Sequence, residues 1–96
     1  MGNMIKDSEV AMVNAAVYAL EYQDKHPGAD IEEIIRNVIR NLDVLRTKKE
    51  LKILGVAASN EILKIKKENK GKSHKQLLQI FVNNTGEFLA RVNSEE

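Results

Sequence analysis

A chain of 96 residues with 43 % hydrophobic content is long enough to bury one core and too short for two domains. Cys 0 excludes a disulfide framework and thiolate chemistry, and a formal net charge of +1 counts against a protein built mainly to neutralise nucleic-acid phosphates. No run of residues is long and apolar enough to span a bilayer, and MGNMIKDSEV lacks the apolar stretch of a signal peptide, so the expectation is a cytoplasmic protein.

The first predicted helix runs from about Ser8 to Lys25, because Val10, Val13, Val17 and Leu20 recur at helical spacing, with alanines and Met12 widening the stripe. His26-Pro27-Gly28 ends it: proline disfavours helical geometry in the preceding residue, and glycine permits the turn. The second helix opens on Asp30-Ile31-Glu32-Glu33, where the Asp30 carboxylate can accept from a free backbone N–H and Glu33 can reach back to the cap. Its apolar face, Ile31, Ile35, Val38, Leu42 and Leu45, with Ile34 and Ile39 beside it, is the cleanest amphipathic signal in the chain.

The third helix opens on a second such box, Thr47-Lys48-Lys49-Glu50, and carries Leu51, Leu54, Ala58, Ile62 and Ile65 on one face. Gly55 inside it costs roughly 1 kcal/mol relative to alanine, which points to close helix packing or to a break. A third box, Ser73-His74-Lys75-Gln76, starts the fourth helix. There Leu77, Leu78, Phe81, Val82, Thr85, Phe88, Leu89 and Val92 share one helical face, while Gln79, Asn83, Glu87 and Arg91 form a polar line. The helical reading is preferred, with Gly86 as a place to bend; the alternative is a hairpin turning at Asn83-Asn84-Thr85-Gly86.

The expected fold class is therefore all-α: one domain over residues 1–96, a compact bundle of about four amphipathic helices, with three helices plus a C-terminal hairpin as the alternative. The three-four spacing of the apolar faces also suits a dimer that shares its core between chains.

Charge is unevenly spread. Residues 1–45 carry a net −4, residues 46–75 a net +7 and residues 76–96 a net −2. The stretch KIKKENKGKSHKQ, residues 64–76, concentrates Lys64, Lys66, Lys67, Lys70, Lys72 and Lys75, candidates for contact with an anion or with nucleic-acid phosphates. The segment has no aromatic for base stacking and no arginine for bidentate reading of guanine, and its first role is that of a solvated helix end.

Gly71-Lys72-Ser73 resembles the end of a phosphate-binding P-loop, but Lys66 stands where the first glycine belongs, and the preceding segment is a lysine-rich helix rather than a buried strand. Residues 47–67 resemble the helix-turn-helix of bacterial repressors in Thr47, Glu50-Leu51 and Leu54-Gly55-Val56 followed by a basic helix. They depart from it at Lys52, Glu61 and Lys64, where small or apolar residues belong. One continuous helix accounts better for Ala57, Ala58, Ile62 and Ile65.

Neither histidine, His26 or His74, has a nucleophile or a metal-ligand spacing near it, so no enzyme, cofactor or metal is expected. Glu21, Asp24 and His26 approach the Pro-Gly turn as solvated polar groups, and Tyr18 and Tyr22 stand where they could pack together. The expected function is binding to another protein or to itself through an amphipathic face, with Ile31, Ile35, Val38, Leu42 and Leu45 as that face. The alternative is a nucleic-acid-binding regulator using residues 46–75. No membrane and no small-molecule substrate is implied.

Overall fold

Four helices make up the chain: α1 (Gly2–Lys25), α2 (Ile31–Val44), α3 (Lys49–Glu68) and α4 (His74–Ser94). The computed structural model describes residues 2–94, and the side chains of residues 7–84. No strand occurs among the described residues, and α4 passes without interruption through Asn83-Asn84-Thr85-Gly86, so the hairpin alternative is overturned. Leu77 and Phe81 are both buried while Gln79, two residues from each, is exposed, which is the period of a helix and not of a strand. Thr85, Phe88, Leu89 and Val92, expected on the same face, lie outside the described side chains. Likewise α3 is continuous through Gly55, where a helix-turn-helix would break.

The helices run up and down. Asp7, Val10 and Asn14 of α1 lie beside Thr47 and Lys48, which lead into α3, and Leu51 of its first turn, and Gln23 and Asp24 lie beside Leu63 and Lys66, so α1 and α3 are parallel. Tyr22 of α1 meets Glu33 of α2, which returns antiparallel, and the first turn of α4 comes back to Asp24 through His74. α1 and α3 form the central pair; α2 and α4 each pack on both, and do not touch one another among the described residues. The Cα radius of gyration is 12.8 Å, close to the roughly 13 Å expected of a compact domain of 100 residues. Among the described residues no helix is long and apolar enough to cross a membrane.

The central helix starts at Gly2, earlier than the expected Ser8, and its buried face also differs from expectation. Met12, Ala15, Ala16, Ala19 and Leu20 are fully buried, with Ala11 nearly so, whereas Val13 and Val17 are half-buried and Val10 is 52 % exposed. The reason is steric. α1 packs most extensively on α3, which presents Gly55, Ala58 and Ser59 there, and only small side chains let two backbones approach so closely. Larger side chains then fill the flanks: Ile34, Val38 and Leu42 from α2, Ile62 and Ile65 from α3, and Leu77 and Phe81 from α4. Ser59, the one buried polar side chain among those described, donates its hydroxyl to the Gly55 carbonyl at 2.9 Å, so its burial leaves no unmet donor.

Of the three capping boxes one forms in full, one by half and one not at all. The Asp30 carboxylate accepts from the Glu33 N–H at 2.9 Å. Glu33 does not reach back, since its carboxylate is taken by the Tyr22 hydroxyl at 2.5 Å. At Ser73 the box is complete: the Gln76 N–H donates to Ser73 Oγ at 3.2 Å, and the Ser73 N–H to Gln76 Oε1 at 2.9 Å.

The Thr47 box does not form; α3 is preceded by Lys48, which makes no side-chain cap. Thr47 is already committed to the end of α2. Its N–H donates to the Leu42 carbonyl at 3.0 Å and that of Arg46 to the Asp43 carbonyl at 2.9 Å, with Arg46 at φ 57. This pair of bonds around a left-handed residue is the Schellman closure of a helix, and it uses the residue that would have opened the next one.

Candidate functional site

The lysine-rich stretch lies at one pole of the bundle, where α1 ends, α2 and α4 begin and α3 ends. Its joint owes its shape to Gly71, whose φ of 90 is a left-handed conformation that costs glycine little. Asn69 caps the last turn of α3 by donating its side-chain amide to the Ile65 carbonyl at 2.9 Å. Gly71-Lys72-Ser73 is thus a turn followed by a capping box, and the N–H of Gln76, free in the P-loop reading, is taken by Ser73 Oγ.

Beside this joint a groove of about 530 Å³ opens between α2 and α3, within the roughly 300–1,000 Å³ range of ligand sites. Its floor is apolar: Pro27 and Ala29 from the α1–α2 loop, Ile31 and Ile34 from the first turn of α2, and Leu63 from α3. Lys66 and Lys67 of α3 and Lys70 of the joint that follows edge it on one side; Gln23 and Asp24 edge it along α1. Lys66 is half-buried, whereas Lys67 and Lys70 are exposed. Ile31 remains 45 % exposed on the floor.

Six cations at this pole lack counter-charges. Among the described residues the ion pairs are Lys52 with Asp43 at 2.6 Å and His74 with Asp24 at 4.0 Å, and none of Lys64, Lys66, Lys67, Lys70, Lys72 and Lys75 takes part in one. Among the described residues the acidic first half of the chain therefore pairs with the basic segment only at Lys52 and His74, and leaves these six lysines without an ion-pair partner. In the α1 wall, Gln23 Oε1 is shut off from solvent without a donor, an unmet acceptor of the kind that native structures rarely keep.

The sequence-predicted residues are divided by the structure. Lys66, Lys67 and Lys70 come together on the groove; Lys64, Lys72 and Lys75 are exposed beyond it. The expected face of α2 is split three ways: Val38 and Leu42 are fully buried in the chain's own core, Ile35 is half-buried, and Ile31 and Leu45 lie at opposite poles. Val38 and Leu42 are thus unavailable to a partner, because the buried row of α2 is Ile34, Val38, Leu42, turned from the expected one. Leu45 is 51 % exposed and lines a second hollow of about 360 Å³ with Val10 and Leu51. Sequence reasoning missed the groove floor, since Pro27, Ala29 and Leu63 carry no signal until α2 and α3 are placed side by side.

On the far side of α1, Tyr22 stacks at 4.4 Å between ring centroids on His26, rather than on Tyr18. Its hydrogen bond to Glu33, with smaller contributions from burial and the Glu33 charge, raises the phenol pKa above its ordinary 10.0. Glu21 and His26 are exposed, and Asp24 turns to His74. Among the described residues no group of three or more His, Cys, Asp or Glu side chains is placed to hold a metal ion.

Compared with known proteins, the chain matches no family model, no curated protein and no solved structure. Its geometry alone bears on what it does.

Proposed function

We propose that this chain is a small non-catalytic helical protein that acts by binding another protein at its lysine-rich pole. The observation that supports this most is the union, on one concave surface, of an apolar floor and cations without counter-charges. Apolar surface left open gains by being covered, at roughly 25 cal/mol per Å², and a charged rim steers and orients what covers it.

Self-association through this pole is disfavoured by symmetry. A two-fold dimer sets the same patch against itself, which would bring Lys66, Lys67 and Lys70 toward their own copies. A second copy would have to use the other pole, where Val10, Leu45 and Leu51 line the smaller hollow.

The test is capture of binding proteins from a cell extract by the immobilised chain, beside the same experiment with Ile31→Glu. Ile31 is exposed, so the variant keeps the fold while placing a charge on the groove floor. A protein held by the parent and lost by the variant supports the reading; the same proteins held by both would end it.

A second reading, nucleic-acid binding, is favoured by the same unpaired lysines, which could meet phosphates. It leaves the apolar floor uncovered and has no arginine or aromatic on the groove for bases. A gel shift with duplex and single-stranded probes at low salt decides it.

A further inference from the structure

We infer that the groove takes an acidic segment of the partner that carries an aliphatic side chain: the side chain seats on Ile31 and Leu63, above the buried Ile34, and the acidic residues meet Lys66, Lys67 and Lys70. This rests on the protein-binding reading above and names the chemistry that reading leaves open. Three observations carry it.

First, the floor and the charges are largely on different walls. The apolar residues come from α2 and the preceding loop, with Leu63 alone from α3, while the cations are Lys66 and Lys67 at the end of α3 and Lys70 in the joint after it. An occupant must therefore be two-sided, apolar on one side and anionic on the other, which an amphipathic segment of protein is and a nucleic-acid backbone is not. Second, the cations are lysines. An ammonium is a hydrated point charge on a flexible stem and imposes no planar fork, so it suits carboxylates distributed along a segment better than one anion held at a fixed point.

Third, the two rims differ in sign. Asp24 is the carboxylate on the α1 rim, 4.0 Å from His74, and repels an acid there. The segment is thereby oriented, with its acidic side to α3 and its neutral side to α1. On that neutral side stands Gln23, whose Oε1 has no donor. A bound segment presents backbone N–H groups, and a small turn of the Gln23 side chain would let one of them donate to this oxygen.

The test is fluorescence anisotropy of the full chain with three labelled synthetic peptides. One carries two leucines flanked by glutamates, one has serines for the leucines, and one has glutamines for the glutamates. The first is expected to bind at least about 10-fold more tightly than either of the others. Its affinity should fall with added salt, and the triple variant Lys66→Gln, Lys67→Gln, Lys70→Gln should weaken it and flatten that dependence. Asp24→Asn should tighten it a few-fold. Gln23→Met, close in shape, should hold or raise the melting temperature, because it removes an unmet buried acceptor, and should weaken the peptide several-fold.

Binding of the serine peptide as tight as that of the leucine peptide would overturn the inference, as would indifference to the triple lysine variant. So would tighter binding of a single-stranded oligonucleotide of equal charge. If the leucine-glutamate peptide fails while Ile31→Glu still releases a captured protein, the inference falls and the protein-binding reading stands. If Ile31→Glu releases nothing either, both fall.

Discussion

A Cβ built on Gly55 would stand 2.7 Å from Leu42 Cδ1 and 3.3 Å from Ala15 Cβ, so three helices meet at the one position of α3 that has no side chain. Gly55→Ala gains roughly 1 kcal/mol of helix propensity but must displace Leu42, which is fully buried and has little room to yield. Overpacking a core typically costs about 1–3 kcal/mol, so a net loss of roughly 1 kcal/mol is expected. Urea unfolding should show a lower midpoint at unchanged slope; a more stable variant would mean that the three helices are not held this close.

Arg46 closes α2 from a left-handed conformation, φ 57, which costs an L-residue roughly 1–2 kcal/mol. Its side chain makes no ion pair or hydrogen bond among the described residues. Arg46→Gly should therefore stabilise the protein by about 0.5–1 kcal/mol, after the greater freedom of glycine in the unfolded chain is set against the relief. A drop in melting temperature would contradict the Schellman closure.

Ser73 and Thr47 look alike in the sequence, each three residues ahead of a Gln or Glu, and the structure separates them. Ser73→Ala removes a formed cap and should cost about 1 kcal/mol. Thr47→Ala touches no cap bond and should change stability by less than about 0.5 kcal/mol. The pair measured side by side in thermal melts distinguishes the two ends of α3 and α4.

The Tyr22 phenol donates to Glu33, and its pKa in the folded protein is raised above 10.0. The folded state therefore holds this proton more tightly than the unfolded chain. The stabilisation is fully present below pH 10.0 and is lost as pH rises through the raised folded value. Compared with Tyr22→Phe, the parent should show the larger decline in stability between neutral and strongly alkaline pH. Parallel declines would show that the bond contributes nothing in solution.

Much of this fold was legible in the residues themselves. The helix count, the stop at His26-Pro27-Gly28, the Ala58, Ile62 and Ile65 part of the α3 row and the Ser73 box all follow from local chemistry, whereas Gly55 read equally as close packing or a break until the helices were placed. The buried face of α1 did not, because hydrophobicity ranks Val10, Val13 and Val17 above Ala15, Ala16 and Ala19, whereas the space left by α3 ranks them the other way. Thr47 misled for a different reason: two helix ends compete for the same few residues, and the closure of α2 took the N–H first. Of the candidate site, the lysines at 66, 67 and 70 were visible as a cluster. Of its floor only Ile31 was legible, as part of the expected α2 face; Leu63 is far in sequence from Pro27 and Ile31 and meets them only across α2 and α3.

The alanine face of α1 divides the molecule's tolerance to change. At Ala15, Ala16 and Ala19, each fully buried, nearly every substitution adds volume, so this face fails by enlargement and has little freedom to drift. At the lysine-rich pole Lys67, Lys70 and Ile31 are exposed, and exchanging them leaves the packed interior unaltered. These exposed positions can diverge between descendants of this chain while the core is kept, whereas Ile34, which lines the groove and is buried in the core, is held by both.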